Sequence, residues 1–211
     1  IRESFKQFDI SEGDLLIGDR VYCTRQGIKH ILTHKGHVLV RFHSTNVPLL
    51  NYQRRNFQVL EKLRSLSDGI PGDWDVWFCD PDDGHLIKVR LCSLRKSKEA
   101  IEKAKKKIRQ EASKKGVKIK DETLEYAEYV TVLTTVNRHA LKAEDVLNLY
   151  RGRWQIELVF KRLKSIVGLG HLPKKSPESC ISWLYGKILV SLLTERLYRE
   201  ADFFSPWGYP I

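Results

Sequence analysis

The stretch "GDLLIGDRVYCTRQGIKHILTHKGHVLVRF", residues 13–42, leaves little freedom in how this chain begins to fold. A short apolar run, Leu15-Leu16-Ile17, ends at Gly18-Asp19, the pattern of a buried strand. Ile28, Ile31 and Leu32 then fall on one face of a helix that Gly36 stops. "HVLVRF" (37–42) is a second apolar strand. A strand, a helix and a strand in so short a span read as part of an α/β sheet. Asp19 sits just past the carboxyl end of the first strand, where α/β proteins place ligands.

Further along, "WDVWF" and "LIKVRLCSL" flank the turn-rich "CDPDDGH", which predicts a β-hairpin within 74–94. Asp80, Asp82, Asp83 and Gly84 look superficially like a calcium loop. Leu91 stands where the bidentate Glu belongs, so the segment reads as a solvated turn. "KEAIEKAKKKIRQEASKKG" (98–116) is a helix with a thin stripe of Ala100, Ile101, Ala104, Ile108 and Ala112. Its other faces are mostly Lys and Arg, either a solvated surface or a face that tracks phosphates. "YVTVLTTV" (129–136) is a strand rich in Val and Thr. Residues 141–167 follow as one long helix or two abutting helices, 168–177 as a loop, and 178–200 as a final helix. The expected organisation is an α/β core in two parts, 1–50 and 129–211, around a β-hairpin-plus-basic-helix insertion over 51–128.

Charge narrows the partners. Lys and Arg number 37 against 26 Asp and Glu, giving a net charge of +11, which favours a polyanion: nucleic acid or an anionic membrane surface. The most apolar run, "ISWLYGKILVSLL", carries Lys187 and is too short to span a bilayer. Cys23, Cys79, Cys92 and Cys180 form no CxxC pair and read as reduced, structural thiols of a cytosolic protein. The chain holds no Met and begins at Ile1, so a natural N-terminal part is expected upstream.

The stretch "LYRGRWQIELVFKRLKS" (149–165) holds one carboxylate, Glu157, among Arg151, Arg153, Lys161, Arg162 and Lys164. On a helical wheel Tyr150, Arg153, Glu157 and Lys164 fall within roughly 60° of one another, with Lys161 at the edge of that stripe. Leu149, Ile156, Val159, Phe160, Leu163 and Val167 take the adjacent arc. Ordinary i,i+4 pairing on an exposed helix accounts for some of this pattern. The excess of cations fits phosphodiester chemistry better: a carboxylate holds Mg²⁺ while the cations keep a nucleic-acid backbone in register.

Tyr150-x2-Arg153-x3-Glu157-x6-Lys164 resembles the Tyr-Arg-Glu-Lys (YREK) signature of bacterial insertion-sequence transposases with a DDE site, and the surrounding "YRGRWQIELVFKRLKS" looks like the C-terminal block of that family. "LLIGDRVY" resembles the block with the second catalytic Asp, usually Asp-x-Gly-Tyr or Phe; here Val21 replaces the Gly, while Asp19 and Tyr22 are kept. The Lys-rich helix and the "YVTVLTTV" strand look like the segment between these blocks. The resemblance implies a ribonuclease H-like catalytic core, with Asp19 and Glu157 as the second and third acidic residues and as metal ligands. Two Mg²⁺ ions (or Mn²⁺), about 4 Å apart, would activate water to cut DNA and then align a 3′-hydroxyl for strand transfer. It also implies phosphate binding by Arg153, Lys161 and Lys164 with Tyr150 packed beside them. Trp154 would stack on an unpaired base or pack in a core.

The first Asp of this family lies on another strand, many residues upstream. Asp9 and Asp14 are too close to Asp19 to replace it, and His30 with "HKGH" makes a poor metal cluster. The chain is therefore expected to be a C-terminal piece of a transposase that binds terminal inverted repeats and target DNA, as a homodimer on DNA, in the bacterial cytoplasm at the nucleoid. The alternative is a non-catalytic DNA-binding protein derived from such a domain. An RNA-binding protein is a third reading, weakened by the lack of a ribonucleoprotein-type aromatic motif.

Overall fold

The computed structural model describes residues 4–165, 168–169, 172 and 176–203, with side chains through 197. It resolves into two compact units, Ile1–Arg153 and Trp154–Ile211.

The first unit is built on a five-stranded mixed sheet. Its strands are β1 (Leu15–Gly18), β2 (His37–Arg41), β3 (Gly72–Cys79), β4 (Leu86–Arg95) and β5 (Tyr129–Thr134), in the order β1-β2-β5-β4-β3. β1 and β2 are parallel, joined by helix α1 (Arg25–Thr33), as the opening pattern of the sequence predicts. Every other pairing is antiparallel. β3 and β4 form the expected hairpin and join the same sheet, because β4 pairs directly with β5. The segment 51–128 thus supplies two strands to the sheet, and also carries helices α2 (Val59–Arg64), α3 (Lys98–Lys115) and α4 (Asp121–Tyr126). Gly116 ends α3 in the left-handed conformation, φ +62°, a region that suits glycine because it has no Cβ.

The period-two alternation of the strands sorts side chains between two cores. On one face Val38, Val40, Val89, Leu91 and Leu133 pack against Ile28 and Ile31 of α1, Leu63 of α2, and Phe5. On the other, Leu39, Cys92 and Val132 meet Ala143, Val146, Leu147 and Tyr150 of helix α5 (Ala143–Gly152). Both faces of the central strands are covered, which is why β2 reads as an unbroken apolar run.

The second unit contains helices α6 (Trp154–Ser165) and α7 (Pro177–Phe203). Over 143–165 the expected helical stretch is two helices, α5 and α6, with Arg153 between them in the chain. Ile166, Val167 and half of the 168–177 loop (170, 171 and 173–175) lie outside the described residues. No helix among the described residues is long and apolar enough to cross a membrane.

Candidate functional site

Asp19 owes its position to Gly18. A Cβ on Gly18 would meet Phe5 Cζ at 2.7 Å and Tyr22 Cβ at 3.0 Å, so only glycine lets β1 run this close to those two side chains. The Phe5 and Tyr22 rings pack with centroids 5.0 Å apart. The chain then leaves β1 and turns into a short 3-10 helix, Arg20–Tyr22. Asp19 caps it: Oδ1 accepts the Val21 N–H at 2.8 Å. That bond fixes the carboxylate at the carboxyl end of β1. Among the described residues Oδ2 has no hydrogen-bond partner. A half-buried carboxylate held by one oxygen, with the other open, is a hard donor that fits an oxygen-seeking divalent cation.

Tyr150 and Arg153 of the expected signature belong to the same unit as Asp19. Tyr150 is buried in the α5–sheet core, and the Arg153 guanidinium carbon lies 5.7 Å from its ring centroid. Arg20, next to Asp19, is within electrostatic reach of Tyr150 and Arg41. Within the first unit the fold thus brings the block around Asp19 and the end of α5 at Tyr150 towards one another, although they are far apart in sequence. Glu157, Lys161 and Lys164 lie in the second unit, where they line one exposed face of α6 with Phe160 and Ser165. Trp154 is 56% exposed. Among the described residues no group of three or more His, Cys, Asp or Glu side chains converges as a metal cluster.

A buried arginine supports α5. Arg90 of β4 grips Asp73 of β3 through two bonds, Nη2–Oδ2 at 2.7 Å and Nε–Oδ1 at 3.1 Å. Its Nη1 donates to the carbonyls of Val136 (2.8 Å) and Leu141 (3.0 Å), which tie down the connection between β5 and α5. Nothing in the alternating pattern of "LIKVRLCSL" singles out this role; the signal is only an Arg inside an otherwise apolar strand.

The acidic turn is more structured than expected. Lys29 of α1 bridges Asp80 at 2.6 Å and Asp82 at 2.7 Å, and these bonds raise its pKa. The thiols of Cys23 and Cys92 are buried and pushed up to about 12 by desolvation, so they are inert packing groups.

A family model described as Transposase DDE domain matches residues 1–193, and the chain belongs to that family. Over 208 residues, 97% of the chain, it is 29% identical to the transposase for insertion sequence element IS421 of Escherichia coli. It is equally similar to the InsL protein of insertion sequence element IS186A in Escherichia coli strain K12. A shorter match, 84 residues at 30% identity, links 40% of the chain to the transposase for insertion sequence element IS1151 of Clostridium perfringens. The chain spans 56% of the length of the first two relatives.

Proposed function

We propose that this chain is the catalytic part of an insertion-sequence transposase of the YREK group, which cuts DNA at the ends of the element and transfers the strand to a target. In this reading β1, α1 and β2 belong to a ribonuclease H-like core, whose two stretches, 1–50 and 129–211, are separated in the chain by an insertion, 51–128. Asp19 and Glu157 are its second and third acidic residues and would hold Mg²⁺, or Mn²⁺ in its place. Bound there, the ions would supply Lewis-acid activation of water and of a 3′-hydroxyl. The residues of the chain do the rest. The Val21 N–H keeps the Asp19 carboxylate turned in one direction. Arg153, Lys161 and Lys164 neutralise backbone phosphates, Tyr150 braces Arg153, and Trp154 offers a face on which a base stacks. The substrates are terminal inverted repeats and target DNA. The active assembly is a homodimer on DNA, at the nucleoid of the bacterial cytoplasm.

The observation that carries this reading is the placement of Asp19, half-buried at the carboxyl end of β1, in a chain matched to the Transposase DDE domain over residues 1–193. Iron-directed backbone scission tests the metal assignment without relying on activity. Fe²⁺ loaded in place of Mg²⁺ and treated with ascorbate and peroxide should break the chain near residues 19 and 157, with each set of fragments lost in Asp19→Asn or Glu157→Gln. Scission elsewhere, or unchanged in both variants, overturns the assignment.

A further inference from the structure

Several shielded cations of the first unit have carboxylate partners: Lys29 meets Asp80, Arg90 meets Asp73, and Lys105 meets Glu128. Three others gather without one. At the carboxyl ends of β1, β2 and β4, where β5 begins, a cleft of 690 Å³ opens between the sheet and helices α3 and α4. Arg20, Arg41 and Lys96 enter it from the ends of three different strands. Among the described residues none of the three has a carboxylate within ion-pair distance. Arg41 and Lys96 are half-buried. The single side-chain bond of Lys96 runs to the Ala127 carbonyl at 2.5 Å, a neutral partner. Lys107 adds a fourth cation at the mouth; Glu111, the one carboxylate lining the cleft, lies 4.0 Å from it.

We propose that this cleft is a binding site for a phosphate group of nucleic acid, formed by Arg20, Arg41 and Lys96 beside Asp19 and distinct from the cations of the α6 face. The inference rests on the transposase reading for its choice of nucleic acid. The anion site itself stands on the cleft alone. Holding like charges half-buried and unpaired is costly, and an anion with several acceptor oxygens relieves that cost. Two guanidinium forks and an ammonium suit a phosphate, which accepts bidentate bonds from arginine and a point charge from lysine. The pKa of Lys96 is consistent with an ammonium that lacks its counter-ion: burial first, then the charges of Arg41 and Arg20, push it down to about 8. Arg41 reaches the site through the register that sets it beside Val132, and Lys96 follows Arg95, which is opposite Tyr129. Sheet pairing therefore assembles the site from residues that are far apart in sequence.

The test uses the 211-residue chain with two probes, inorganic phosphate and a short DNA duplex. Calorimetric titration with phosphate should show binding that falls at least tenfold in Arg41→Gln and in Lys96→Met, and returns in Lys96→Arg. DNA affinity should fall by severalfold in the same two variants, with a log–log salt slope lower by about 0.9 for the lost phosphate contact. Lys103→Gln, on the solvent side of α3, should change neither. Arg41→Lys is the second variant if Arg41→Gln does not fold, and should bind phosphate more weakly than the wild type. Wild-type affinity for both probes in folded Lys96→Met overturns the proposal. Loss of phosphate binding with unchanged DNA affinity overturns the nucleic-acid assignment. Failure of the transposase reading shows separately, as intact phosphate binding in a protein whose metal-directed scission does not map to Asp19.

Discussion

Asp19 accepts the backbone N–H of Val21 at 2.8 Å, so Val21 orients the carboxylate through its main chain. Its side chain is exposed and takes no part in that bond. Val21→Gly should therefore leave metal-directed scission at residue 19 intact, whereas Val21→Pro, which removes the N–H, should abolish it. Equal scission in both variants would show that the cap does not orient Asp19.

Gly18→Ala should destabilise the first unit by about 1–3 kcal/mol, the usual cost of forcing an extra carbon into a packed site. The new Cβ would press on the Phe5 ring at 2.7 Å, and that ring is buried in the core, which leaves it little room to move. Thermal or urea unfolding measures this directly. Unchanged stability would mean that Phe5 swings away freely.

Arg90→Met should cost about 3–5 kcal/mol, because it leaves the Asp73 carboxylate without its bidentate partner and frees the Val136 and Leu141 carbonyls. Amide exchange should rise in α5, whose entry those carbonyls fix, more than in α1. Uniform exchange across both helices would argue against a positioning role for Arg90.

The ionisation of Lys96 gives a pH test. Its folded pKa, about 8, lies below the value near 10.5 expected of an unfolded lysine. Between those values the unfolded chain binds more protons, so this residue makes stability rise with pH across the window, by on the order of 2 kcal/mol for a group this shielded. Below about pH 8 the ammonium is charged in both states, and its burial cost is present in full. Arg20, Arg41 and Lys107, with Glu111, His43, Tyr126 and Tyr129, also face the cleft, so the wild type must be compared with Lys96→Met. Urea denaturation at pH 8 and pH 10 should show a rise in the wild type that the variant lacks. Identical pH profiles would contradict the assignment.

Much of this architecture is legible in the sequence because it obeys local periods. Leu15–Ile17, Ile28 with Ile31, and Val38–Val40 state a buried strand, an amphipathic helix and a second strand, and Asp19 follows as a strand-end residue. The break at Arg153 is left open by the pattern, since Gly152 tolerates either outcome. It is decided by what each half covers: Val146, Leu147 and Tyr150 dock on the sheet, whereas Trp154, Ile156, Val159 and Phe160 are exposed on α6. Helices α2 and α4, each under two turns, are too short to show a period. The Arg20–Arg41–Lys96 cleft is invisible in sequence for a different reason. Its members meet through the pairing of β2 with β1 and of β5 with β2 and β4, and strand order is not a local property.

In the proposed reading Asp19 and Glu157 hold the metal ions that activate water to cut DNA. The most direct measurement is Mg²⁺-dependent cleavage of a labelled DNA duplex carrying the end of the element, by the protein at the full length its gene encodes. The wild type should cleave. Asp19→Asn and Glu157→Gln should each lose at least a hundredfold in rate while binding the duplex within about threefold of wild type, since each removes a metal ligand and leaves the cations in place. Cleavage at near wild-type rate in either variant would show that the substituted carboxylate is not a metal ligand.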